Sequence, residues 1–247
     1  MKLAVHFTPH GVAPTMIAGR PVLVIDLLRA TTTMIAALAA GARAILPAAS
    51  GEEALKLAQN LERDDVLLAG ERRSERIPGF ALGNSPLEMR PDVVAGKTLV
   101  MATTNGTPAL LAAEPGRPVI IAAAVNFKAA AAAAWRAFEE SGELTILCAG
   151  RERTFALEDA YAAGRFAEAI VPGKSRRGLE LNDAAIAARE LVRRYGTKWK
   201  VAVAASTAAR ELKERGCRAD IAAATEPDTY DLVPIYVDRH VIIPGRG

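Results

Sequence analysis

The chain has 247 residues, 51% apolar and 24% charged, with a formal net charge of +3. That length can bury a core, no apolar run approaches the ~18 residues that span a bilayer, and MKLAVHFTPHG is too weakly apolar for a signal peptide, so neither membrane nor export is expected and the cytoplasm is the default. Two cysteines, Cys148 and Cys217, form no disulfide framework or zinc set, and despite a pI near 9.0 the basic residues alternate with acids, leaving Lys174, Arg176 and Arg177 as the only cluster, with few aromatics and no expectation of nucleic acid.

Residues 1–7 alternate and predict an opening strand with Val5 and His6 on opposite faces. The stretch Pro21–Ala42 sets the pattern for the chain. Val22–Ile25 is an apolar strand closed by Asp26, then come Arg29 and Thr31–Thr33, then an alanine-rich helix stopping at Gly41, with the threonines expected as its N-cap. Residues 42–48 predict a short strand, Ser50 and Glu53 a capping box for the helix 51–62, and residues 65–71 a strand ending on Glu71. Residues 72–92 are rich in Gly, Pro, Asn and Ser and predict a loop of ~20 residues, a length usual for a lid or binding loop.

The same pattern recurs at strand 98–102, polar turn 103–107 and a helix with Pro108 in its first turn. It recurs at 118–122 with Asn126 at the strand end, and again at 144–148 with Cys148–Gly150 at the turn. Asn182 is expected to cap a helix ending at Gly196, and 199–216 reads as helix because Val201, Ala205, Ala208 and Leu212 keep helical spacing. The tail from Asp220 to Pro244 mixes loop with strand-like segments. Alternating strands and helices predict an α/β fold, a mostly parallel sheet with helices on both faces, in one domain over 1–247. A division into two similar lobes near residues 140–150 stays open.

Ligands of open α/β sheets bind outside the carboxyl ends of the strands, where helix N-termini favour oxyanions. Asp26 is the only acid in its strand and turn and can serve as metal ligand, base or nucleophile. Glu71, Glu158 and Asp159 are further hard oxygen donors of the kind that suits Mg2+. A haloacid-dehalogenase motif would need an acid where Leu28 stands, and a cysteine-phosphatase loop an arginine where Thr154 stands. Cys148 is therefore expected to be a buried small hydrophobe and His6 structural. Triphosphate, dinucleotide and zinc-peptidase motifs do not occur.

IDLLRATTTMIAALAAGA, GER followed by IPGFALGNSPLE, TTNGTPAL, VNFKAA, CAG with LEDAYAAG, and NDAA, in that order from Asp26 to Asp183, resemble the 2-phosphosulfolactate phosphatase (ComB-like) family. DIAAATEPDTYDLVP carries a weaker likeness. The resemblance implies a three-layer αβα fold with a mostly parallel or mixed sheet. It also implies a Mg2+-dependent phosphatase converting 2-phosphosulfolactate to 3-sulfolactate, as in coenzyme M biosynthesis. Asp26, Arg29, Glu71 and Asp159 are the implied catalytic residues, with Asp26 and Glu71 as metal ligands. Thr31, Thr32, Arg72, Asn84, Ser85, Thr103, Thr104, Asn105, Thr107 and Asn126 are the implied substrate contacts. Arg29 or Arg72 is expected to hold the sulfonate or carboxylate of a small, doubly anionic substrate, under the 72–92 loop.

The chain departs from the family pattern at Ala81, at Arg73–Ser74 and at Ser206–Thr207–Ala208, which bears on the substrate. Another small phosphorylated hydroxy acid, or binding without turnover, are the alternatives. A homo-oligomer is left open.

Overall fold

The structure, a computed structural model, describes residues 1–62, 65–171 and 178–246, so the cluster of Lys174, Arg176 and Arg177 lies outside the described residues. Alternation at the start of the chain becomes β1 (Lys2–His6), with Leu3 and Val5 buried and His6 half-buried on the other face. After a short helix α1 (Pro14–Ile17) comes β2 (Val22–Ile25), buried at every position. A strand covered on both faces needs no alternation, which is why VLVI reads as one apolar run. Then come α2 (Ala30–Ala39), β3 (Ala44–Ala48), α3 (Gly51–Gln59), β4 (Val66–Arg72) and β5 (Glu75–Arg76). The middle of the chain supplies α4 (Pro91–Val94), β6 (Thr98–Ala102), α5 (Gly106–Ala113), β7 (Val119–Ala122), α6 (Phe127–Ser141) and β8 (Glu143–Cys148). It ends with α7 (Leu157–Ile170), β9 (Glu180–Leu181), α8 (Asp183–Tyr195), α9 (Trp199–Ala204), α10 (Thr207–Glu214), α11 (Arg218–Ala224), β10 (Ile235–Val237) and β11 (His240–Ile242).

The strands form one open sheet in the order β5-β4-β6-β3-β11-β10-β7-β2-β8-β1-β9, flanked by helices, as the predicted αβα class requires. Pairing is parallel in two blocks, β4-β6-β3 and β7-β2-β8-β1-β9. Between the blocks lies the antiparallel hairpin β10–β11, which pairs with β7 on one side and with β3 on the other. β8, from the 140–150 region, runs between β2 and β1. The principal core gathers around β2, β7 and β8, and a smaller one sits at α3, where Ala54 and Phe80 meet Val100 and Ala102.

Several expectations change. The threonines do not cap α2: Arg29 is the N-cap residue, and Thr31–Thr33 lie inside the first turn. Their hydroxyls donate to backbone carbonyls instead, Thr31 to Asp26 and Ala122, Thr32 to Leu27 and Thr33 to Asn84. The Ser50 hydroxyl does accept from Glu53 N–H, but the Glu53 carboxylate takes the N–H of Ala49 rather than that of Ser50. Residues 72–92 are not a structureless loop. They hold the end of β4, all of β5, a 3-10 turn at Pro86–Glu88 and the start of α4. The helix expected over 199–216 is two, because Ser206 starts a new one by accepting from Ala209 N–H. Part of the tail read as loop and strand is α11. Asn182 caps α8 as expected. Among the described residues no helix is long and apolar enough to cross a membrane.

Candidate active site

A cleft of about 410 Å3 opens at the carboxyl ends of β2, β4 and β8, beside the turn after β6. Asp26, one residue beyond β2, is 6% exposed. Its Oδ1 accepts from Ala30 N–H at 3.3 Å, and among the described residues no hydrogen bond reaches Oδ2. The turn before α5 presses against this carboxylate. A Cβ on Gly106 would stand 2.3 Å from the Ala30 methyl and 2.6 Å from Asp26 Oδ2, so only glycine admits this approach.

Three buried acids, Asp26, Glu158 and Asp159, border the cleft. Burial pushes Asp26 up to about 7, an effect offset by the Ala30 N–H, increased by Glu71 and Glu158 and reduced by Arg29. Asp159 is also raised, first by burial and then by Asp26 and Glu158, although its oxygens accept from Leu27 N–H at 2.9 Å and Gly150 N–H at 3.0 Å. Those two bonds join the turn after β2 to the turn after β8. Glu158 is raised by burial too, against the hydrogen bond it shares with Ser206. Carboxylates crowded into a dry site are what a bound cation would relieve.

Arg29 is 6% exposed and its guanidinium meets Asp220 on α11 at 2.5 Å. Asp220 accepts in turn from Ser85 Oγ at 2.7 Å. Ser85 thus holds an acid that holds the arginine. A guanidinium has five N–H donors, and Asp220 and the Ser74 carbonyl at 3.4 Å take two of them. Glu71 is more fully engaged: its oxygens accept from Thr104 N–H at 2.7 Å, Thr104 Oγ1 at 3.1 Å and Ser74 N–H at 2.7 Å.

Of the residues expected from sequence, Asp26, Arg29, Glu71, Asn84, Thr104, Asn105 and Asp159 line the cleft. Asn84 is buried, and its side-chain Oδ1 has no hydrogen-bond partner among the described residues. Thr31, Thr32, Thr103, Thr107, Asn126, Ser85 and Arg72 do not line it. Thr103 and Thr107 bond to each other across the turn, and Asn126 is bound to Ala123 N–H and to the carbonyls of Ile121 and Leu232. The Arg72 guanidinium donates to the carbonyls of Thr103 and Ala49. Its neighbour Arg73 faces the cleft instead.

Sequence reasoning does not assign Asp220, Arg73 or Arg151 to the site. Arg151 lines the cleft and pairs with Glu211 at 2.5 Å. Cys148 is buried, donates to the Asp159 carbonyl at 3.4 Å, and has its thiol pushed well up by burial and by Asp159 and Glu158, as befits a packing residue. Burial lowers His6, which lies outside this cleft.

A metal at this site would have to bind with few carboxylates, since among the described residues no three His, Cys, Asp or Glu side chains are grouped to hold one. Mg2+ meets that condition, because it takes one or two carboxylates and completes its shell with water and phosphate oxygens. Asp26 Oδ2 and the unpartnered Asn84 Oδ1 are hard oxygen atoms on residues that border the cleft, so the donor set fits.

The family model for 2-phosphosulpholactate phosphatase matches residues 6–239. The chain is similar to a probable 2-phosphosulfolactate phosphatase of Deinococcus radiodurans, 39% identical over 238 residues, covering 96% of this chain and 94% of that one. The protein of the same description from Caldanaerobacter subterraneus subsp. tengcongensis is 36% identical over 235 residues, 95% of each chain. That of Symbiobacterium thermophilum is 36% identical over 227 residues, 92% of this chain and 95% of its own.

Proposed function

The chain belongs to the 2-phosphosulpholactate phosphatase family, a family of phosphoric monoester hydrolases, and on that basis we propose that it is a Mg2+-dependent enzyme hydrolysing 2-phosphosulfolactate to 3-sulfolactate and phosphate, the reaction type of coenzyme M biosynthesis. One observation carries the reading: a bare carboxylate oxygen of Asp26 in a cleft beside a buried arginine whose position is fixed by an acid of its own.

Phosphoryl transfer asks the protein mainly for positioning and for charge opposite the equatorial oxygens. Arg29 supplies that charge, with its free donors turned to the phosphoryl group. Asp26 borders the cleft with its Oδ2 unengaged by any described residue, placed to act as a general base. It takes a proton from the attacking water as the ester P–O bond breaks, and the leaving oxygen takes up a proton from solvent to become the hydroxyl of 3-sulfolactate. Direct attack by Asp26 on phosphorus is the alternative, and Asp26→Asn removes either path. Mg2+, held by Asp26 and Asn84 with Glu71 alongside, would neutralise phosphoryl charge when bound. Thr104 and Asn105 line the same cleft.

The test is phosphate release from 2-phosphosulfolactate with Mg2+ and with excess EDTA, beside phospholactate and an aryl phosphate. Mg2+-dependent release that favours phosphosulfolactate supports the reading. A faster reaction with phospholactate would move the substrate to another phosphorylated hydroxy acid, and release from none of the three would leave a binding protein.

A further inference from the structure

Resting on that reading of the cleft, we propose that Arg73 is the residue that recognises the second anion of the substrate, the sulfonate or carboxylate beyond the phosphoryl group. Four arginines line the cleft among the described residues, and three are already matched: Arg29 by Asp220, Arg151 by Glu211 and Arg215 by Glu75. Among the described residues no ion pair or hydrogen bond engages the Arg73 guanidinium, which is exposed to the cleft. The same wall carries Glu152, Glu158, Glu211 and Glu214 besides the acids at its centre. A doubly anionic organic acid entering this space therefore meets one cation not spoken for.

The backbone beneath Arg73 gives no other reason for an arginine. Arg73 and Ser74 form the two-residue turn between β4 and β5, at φ +51° and +66°. Such turns favour Asn and Gly, and positive φ is unfavourable for side chains with a Cβ. Strained positions of this kind concentrate where a side chain must be aimed. The turn is also held on three sides: Ser74 N–H donates to Glu71 at 2.7 Å, Arg73 N–H to Thr104 Oγ1 at 3.4 Å, and Arg29 to the Ser74 carbonyl at 3.4 Å. Arg73 thus projects a planar fork, suited to an oxyanion, from a fixed base coupled to the phosphoryl-binding arginine. Arg153, at the comparable turn after β8, lines a neighbouring cavity and not this cleft.

The experiment is calorimetric titration of wild type, Arg73→Gln and Arg73→Lys with 3-sulfolactate and, separately, with inorganic phosphate. The expected result is a fall of at least tenfold in the sulfolactate-to-phosphate affinity ratio for Arg73→Gln, partly recovered in Arg73→Lys. An unchanged ratio, a lysine variant no better than glutamine, or a wild type that does not bind sulfolactate overturns the proposal. Failure of the phosphatase reading is distinguishable: a wild type that binds sulfolactate but releases no phosphate from phosphosulfolactate refutes turnover and leaves the ratio as the test of Arg73.

Discussion

Replacing Asp220 by asparagine tests whether Arg29 owes its place to α11. The substitution keeps the shape and one acceptor for Ser85 Oγ but removes the charge that meets Arg29 at 2.5 Å, where both side chains are only 6% exposed. Breaking one partner of a buried pair costs about 3–5 kcal/mol, chiefly because the other charge stays buried alone. The retained amide oxygen puts this case at the lower end, about 3 kcal/mol. For a chain of this size each kcal/mol moves Tm by about 2–4 °C, so calorimetry should record a fall of about 6–12 °C. Phosphate release should drop in parallel by roughly 10- to 100-fold, through lost aim of the guanidinium rather than lost chemistry. Ser85→Ala, which leaves the ion pair but takes one hydrogen bond to a charged group, should cost less, about 1.5 kcal/mol. A Tm within 2 °C of wild type for Asp220→Asn, or full activity, would refute the account of how Arg29 is held.

Gly106→Ala should lower activity at least tenfold and stability by about 1–3 kcal/mol, because the new methyl meets Ala30 and Asp26 below contact distance; crystallography or activity with intact folding would decide whether the turn can yield. Glu71→Gln keeps a single acceptor oxygen where three hydrogen bonds now end, so amide exchange at Ser74 should quicken well before global unfolding does. For the metal-free protein, stability should fall as pH rises. Asp26 stands near 3.8 unfolded and about 7 folded, so the folded state binds more protons between those values; its contribution is complete below pH 4 and is lost as pH rises through 7. A melting series from pH 4 to 8 in EDTA that rises instead would contradict the crowding of acids in the cleft. Added Mg2+ should raise Tm most at the alkaline end, where the carboxylates are bare.

Strand ends are the legible part of the chain. Val22–Ile25, Thr98–Ala102 and Leu144–Cys148 announce themselves as apolar runs, and a parallel sheet then gathers the turns after them on one side, which brings Asp26, Glu71, Thr104 and Asp159 together as expected. The threonines mislead as caps because a short hydroxyl in the first turn of a helix can satisfy backbone carbonyls instead of free N–H groups, and these do. The resemblance points to Arg72, whose guanidinium is bound to the carbonyls of Thr103 and Ala49, while Arg73 borders the cleft. Strand alternation accounts for the first placement, since Glu71 and its successor point to opposite faces. Asp220, 191 residues from Arg29, opens the weaker C-terminal likeness in a tail read as loop and strand, and nothing there assigns it to the site. The buried spacing of Ile221 and Ala224 around it is the available signal for a helix.

The two parallel blocks of the sheet meet only through β10 and β11, the last two strands among the described residues. During synthesis, β3 and β7 are therefore both made, and left as bare edges, more than a hundred residues before their partners reach them. Such edges invite pairing with other chains. Nascent protein interrupted ahead of Leu232 would consist of two half-sheets lacking their bridge, an aggregation-prone species that a ribosome pausing before that point would accumulate. Since α11 is also made late, the arginine at the centre of the cleft receives its counter-charge only once that helix has left the ribosome. Closing the fold and arming the site fall in the same short interval.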